Sequence, residues 1–190
     1  MGYNISSDMS QEYVEQAIVE MDSLFDIVLI TEKIDEGLIL LKDLLCWEYS
    51  DIVFIKKNSR NELYVNKLSE EQIKTIEKIN KEDVMLYEHF LRKHESAVEN
   101  YGREKMAKEV AIVAELRQTI TDECNIKTVM HEAAPKIFKT KNSRADVSVV
   151  DNEADEMCLL MSLPENILLS KIRNRQLELL NSSKSFNTAK

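Results

Sequence analysis

The sequence predicts an α/β fold, rich in helix, with a small parallel sheet and a long C-terminal helical region. Three observations carry that expectation. Among 190 residues there are only three glycines and two prolines, which favours long helices over tight turns and disfavours an all-β fold. Two Ile/Val-rich runs, at about residues 25–31 and 51–56, flank an apolar helix, the pattern of a right-handed βαβ unit. From about Lys81 to Asp122, apolar residues recur at steps of three and four, the period of a helix face.

Taken in order, "SQEYVEQAIVEMDSLF" sets Val14, Ala17, Ile18 and Met21 on one helical face, with Ser10 placed as N-cap. "FDIVLIT" is short, β-branched and bounded by polar residues, so it reads as a buried strand. The next helix, "EGLILLKDLLCW", is apolar on nearly every side; Lys42 and Asp43 are its clear polar positions, and Asp35 can cap it. Trp47 closes it as a packing residue, with Leu44, Leu45, Val53 and Ile55 placed in the core and Cys46 as a buried small hydrophobe. "DIVFIKK" supplies the second strand. Residues 57–68 read as a loop. Ser69 and Gln72 form a capping box for a helix whose narrow stripe is Ile73, Ile76 and Ile79.

In the long helical stretch the stripe Val84, Tyr87, Leu91, His94, Val98, Tyr101 shifts phase at Gly102 and resumes with Met106, Val110 and Val113, which predicts a break at the glycine. His94 is expected to be a satisfied histidine at the core edge. Beyond Cys124 the periodicity weakens to loop, with one short strand at Val147–Val150, before "LPENILLSKIRNRQLELL" returns to helix with Pro164 in its first turn. Residues 1–180 are read as a single domain and 181–190 as a disordered tail.

Net charge is −9, with no basic block to offset it, so a nucleic-acid partner is disfavoured. No run of eighteen apolar residues exists, and "MGYNIS" lacks the basic and apolar regions of a signal peptide. Its Gly2-to-Ser6 spacing fits an N-myristoylation pattern loosely. Cys124 and Cys158 flank the irregular segment and can pair if the chain folds in an oxidising lumen. Asn4 and Asn181 fit glycosylation sequons, relevant only on a secretory path.

The familiar catalytic spacings are absent: no G-x-x-x-x-G-K-[ST], G-x-S-x-G, H-E-x-x-H or C-x-x-C. His131–Glu132 has no second histidine at helical spacing, so no metal site is expected. Glu32, Asp35 and Glu36 cluster at the end of the first expected strand, where open α/β sheets bind ligands. They serve equally well as carboxylates at a helix N-terminus. Lys56, Lys57 and Arg60 form the one basic cluster placed to meet a phosphate or sulfate, and a solvated loop accounts for them as well.

Four blocks, in order, carry a resemblance: "FDIVLITEKIDEGLILLKDLLCW", "DIVFIKKNSR", the spaced set Asn80, Asp83, Leu86, Tyr87, His89, Phe90, and "YGREKMAKEVA". Together they resemble the C-terminal half of the galactose 3-O-sulfotransferase family, which includes the galactosylceramide sulfotransferases. The resemblance is strongest over residues 12–124, with an echo in Cys158, Met161, Pro164 and Glu165. It implies part of a P-loop-type sulfotransferase fold. It also implies transfer of sulfate from 3′-phosphoadenylyl sulfate to the 3-hydroxyl of galactose on a glycolipid or glycan, in the Golgi lumen or membrane.

The departures matter too. Lys33, Ile34 and Gly37 stand where the family usually has an aromatic pair and a serine. The family's membrane anchor, and the strand–loop–helix that cradles the phosphosulfate and carries the base, cannot be matched to this sequence. No catalytic residue is therefore carried over, and the chain by itself is expected to be inactive. Substrate contacts are expected at Glu32, Asp35, Glu36, Lys56 and Arg60. The alternative is a non-enzymatic helical interaction protein derived from the same scaffold.

Overall fold

The computed structural model describes residues 10–57, 59–151 and 155–187, the last seven by backbone alone. Gly2, Asn4 and Ser6 lie outside the described residues, as does the side chain of Asn181. Where the sequence reads as one domain, the chain forms two compact units, residues 1–52 with 67–114 and residues 53–66 with 115–190. Each is described by itself.

The first unit is helical. Helix α1 (Gln11–Asp22) starts at Ser10, whose hydroxyl accepts the Tyr13 amide N–H, and buries Val14 and Ile18. After an irregular segment and one 3-10 turn at Thr31–Lys33 comes α2 (Ile34–Leu45), which buries Gly37 and Ile39. Cys46 ends it in a left-handed conformation with φ 54°, donating its N–H to the Asp43 carbonyl. Cys46 is exposed, which corrects the expectation of a buried thiol: a C-cap residue turns away from the face its helix packs. Helix α3 (Tyr49–Ile52) follows. Helix α4 (Glu70–Ile79) opens on the expected capping box, with Ser69 accepting from the Gln72 amide while the Gln72 side chain accepts from Ser69. Helix α5 (Lys81–Tyr101) packs on α1, α2 and α4 and buries Phe90, His94 and Val98. Gly102, with φ 95°, separates it from α6 (Arg103–Glu123), which buries Met106, Glu109 and Val113.

The parallel sheet expected at 25–31 and 51–56 is not formed. Residues 26–30 form a bend and irregular backbone with no strand ladder, and Asp51–Ile52 belong to α3, where the Asp51 carboxylate accepts the Glu48 amide. A β-branched run becomes a strand only when a second backbone satisfies its N–H and C=O groups. Leu44, Leu45 and Trp47 are likewise exposed rather than core, Trp47 at 43%, and Val53 and Ile55 are half-buried. Helix α2 packs through the face that carries Ile39, and the residues at its C-terminal end lie off that face.

In the second unit, β1 (Lys127–Val129) and β2 (Val147–Val149) pair antiparallel, with Val129 opposite Val147. Residues 59–61 extend this framework: Arg60 bridges Ala145, the Asn61 amide donates to Arg144, and the Asn61 side chain donates to Asp146 at 2.8 Å. Phe138, Val150 and Leu163 form the core, flanked by Ile126, Leu159 and Ile167. Helix α7 (Glu156–Ser162) is capped by Asp155. Helix α8 (Glu165–Asn187) runs through residues 181–187, where composition alone suggests a tail.

Candidate functional site

Helix α5 brings the polar chemistry of the first unit together. Residues three, four and seven apart share a helix face, so Phe90, His94 and Ala97 line up, as do His89 and Lys93. Glu32 and Glu36, four apart, meet that helix. The Tyr87 hydroxyl donates to Glu32 at 3.5 Å, and His94 Nε2 lies 3.0 Å from Glu36. His94 is 5% exposed, so its carboxylate partner satisfies a ring nitrogen that burial would otherwise leave orphaned. On the adjacent face, Asp22 at the end of α1 receives both Lys93 and His89, the latter at 3.1 Å. Hydrogen bonds from Lys93 and His89 hold the Asp22 carboxyl below its ordinary value.

Between residues 26–28, α2 and α5 lies a cavity of about 190 Å³. Leu40, Leu44, Phe90 and Ala97 give it apolar walls, while Asp26, Lys93 and His94 add polar groups to the lining. An apolar hollow with a few convergent polar groups is the usual character of a small-molecule site.

The chain holds a second polar network that the sequence does not announce as a site. Glu109 of α6 accepts the Tyr101 hydroxyl at 2.7 Å and pairs with Lys42 at 3.3 Å, and Lys42 also meets Asp43 at 2.9 Å. Burial pushes the Glu109 carboxyl up, but hydrogen bonds from Tyr101, Lys42 and Tyr49 outweigh it, leaving it below the ordinary value. Burial and the same carboxylate drive Tyr101 far above its ordinary phenol value. The signal in the sequence is that Lys42 and Asp43 interrupt an otherwise apolar helix.

Of the residues the sequence singles out, Glu32, Asp35 and Glu36 fall together at the N-terminal end of α2, with Asp35 and Glu36 in its first turn. The basic set belongs to the other unit. Lys57 Nζ donates to the Leu163 carbonyl at 2.7 Å, and burial holds its pKa below the ordinary value. Lys56 and Arg60 are exposed. The half-buried cation of this set is thus committed to a carbonyl. Cys124 and Cys158 are joined, with Cα atoms 5.4 Å apart. Among the described residues, no group of three or more His, Cys, Asp or Glu could hold a metal, and no helix is long and apolar enough to cross a membrane.

Residues 1–144 match the family model described as galactose-3-O-sulfotransferase. The chain belongs to the galactose-3-O-sulfotransferase family. It is 40% identical to human galactosylceramide sulfotransferase over 124 residues, covering 65% of this chain and 29% of the relative. The mouse galactosylceramide sulfotransferase is 42% identical over 118 residues, 62% of this chain and 27% of the relative. Human galactose-3-O-sulfotransferase 2 is 27% identical over 176 residues, covering 86% of this chain and 44% of the relative. The chain thus spans less than half the length of these sulfotransferases. No solved structure matches it.

Proposed function

We propose that this chain is part of a sulfotransferase that moves sulfate from 3′-phosphoadenylyl sulfate to the 3-hydroxyl of a terminal β-galactose on a glycolipid, working in the Golgi. The observation that carries the proposal is the gradient of likeness over stretches of similar length, 40% over 124 residues to human galactosylceramide sulfotransferase against 28% over 125 residues to human galactose-3-O-sulfotransferase 4. In such a transfer the galactose 3-oxygen forms the new bond to sulfur. The bond from sulfur to the phosphate oxygen breaks, and a base takes the hydroxyl proton. No residue of this chain is assigned as that base.

The chain's own part is on the acceptor side. Its helices, held by the Glu32–Tyr87 and Glu36–His94 pairs, form a rigid support for a sugar. The donor is held elsewhere in the protein; the commitment of Lys57 to the Leu163 carbonyl supports that reading. The disulfide between Cys124 and Cys158 suits an oxidising lumen.

The test is a radiolabelled sulfate-transfer assay with galactosylceramide. A family-length polypeptide containing this sequence should sulfate it, and the 190-residue chain alone should not. Transfer to N-glycan galactose in preference to the lipid would sink the glycolipid assignment. A family-length polypeptide that is folded, yet neither transfers sulfate nor binds the donor, would instead favour a non-enzymatic helical interaction protein.

A further inference from the structure

We infer that the cavity between residues 26–28, α2 and α5 is the seat of the acceptor's galactose ring. The assignment rests on the galactose acceptor of the proposed reaction and deepens it by placing that sugar on named residues. The cavity is about 190 Å³, a size that suits one hexose rather than a lipid tail or an extended glycan.

Its lining offers both kinds of contact that a galactose ring makes. The axial 4-hydroxyl of galactose leaves the C3, C4 and C5 hydrogens on one face, an apolar patch that packs on aliphatic and aromatic side chains. Leu40, Phe90 and Ala97 offer that surface. The lining also carries Asp26, an acceptor for sugar hydroxyls, and Lys93, a donor. His94 faces the cavity from α5, nine-tenths buried and fixed by Glu36. A buried, carboxylate-anchored imidazole at the wall of a hollow positions a polar edge without rotational freedom.

Another hollow of the same unit lacks this pairing of donor and acceptor. The groove between α1 and α5, about 170 Å³, is walled by Val14, Ala17, Ile18, Met21 and Leu86 with Tyr13, Glu82 and Asp83; it has no cation among its lining residues, and neither histidine of α5 reaches it.

The experiment titrates the 190-residue chain with methyl β-galactoside, methyl β-glucoside and octanol, following backbone amide shifts by NMR. The galactoside should shift Asp26, Ile27, Val28, His94 and Ala97 saturably, and the 4-epimer should bind several-fold more weakly. Ala97→Phe fills the cavity and should abolish the shifts. Asp26→Asn changes an exposed side chain, leaves the fold intact, and should weaken binding about tenfold. Saturable shifts with octanol and none with the galactoside would overturn the assignment, as would no saturable shift at about 50 mM galactoside. In the family-length protein, Asp26→Asn should raise the acceptor KM. Unchanged KM with sulfate transfer intact would defeat the pocket assignment and leave the reaction standing, whereas no transfer by the unaltered protein would defeat the reaction itself.

Discussion

At Glu109 a carboxylate sits almost wholly buried beside the Tyr101 and Tyr49 hydroxyls and the Lys42 ammonium, with Lys105 at 3.7 Å. Removing it leaves Lys42 short of a partner and Tyr101 without its acceptor, so Glu109→Ala should cost about 2–4 kcal/mol by urea denaturation. The pH dependence has a definite sign. The folded pKa of Glu109 and of Asp43 lies below the ordinary values of 4.5 and 3.8. Their contribution is therefore fully present above those values and is lost as pH falls through the lower folded ones. Denaturation midpoints should drop as pH is lowered from about 5, and Glu109→Gln should flatten part of that slope; an unchanged slope would show that the network does not carry it. Trp47 makes the opposite case. Because it is 43% exposed while Met106 is 2% exposed, Trp47→Ala should cost about 1–2 kcal/mol and Met106→Ala about 2–5 kcal/mol. Thermal melts in which Trp47→Ala proves the more damaging would contradict this burial order.

Among the elements, three local devices set where helices start and stop. The Ser69–Gln72 box satisfies two orphan donors of α4, and Ser69→Ala should lower stability by about 1 kcal/mol. Gly102 holds φ 95° between α5 and α6. A Cβ there meets only Lys105 Cβ at 3.9 Å, so Gly102→Ala is penalised by backbone strain rather than by a clash, at about 1–2 kcal/mol. The cross-link between Cys124 and Cys158 spans 34 residues and ties the end of α6 to α7. Replacing both cysteines by serine should cost about 3–4 kcal/mol on chain-entropy grounds. Adding reductant to the unaltered protein should reproduce that loss and leave the serine variant unmoved; equal melts with and without reductant would remove the disulfide from the stability account.

For the molecule as a whole, the expectation concerns the nucleotide. With Lys57 committed to the Leu163 carbonyl and no glycine-rich helix entry among the 190 residues, the chain should bind 3′-phosphoadenosine 5′-phosphate no more tightly than about 1 mM. Calorimetry returning a micromolar constant would mean that the basic residues converge in a way this structure does not show.

The sequence by itself determined whatever depends on near neighbours. The Ser10 cap, the Ser69–Gln72 box, the break at Gly102 and the short strand at Val147–Val149 are all written in residues a few positions apart. The order of four motif blocks likewise marked the family. Only the tertiary structure decided which carboxylate meets which histidine, since Glu36 and His94 are 58 positions apart and nothing local links them. It also decided that residues 25–31 and 51–56 make no parallel sheet and that Trp47 stands exposed. An apolar run states that burial is favourable, but whether it becomes strand, coil or surface depends on the backbone and side chains brought against it.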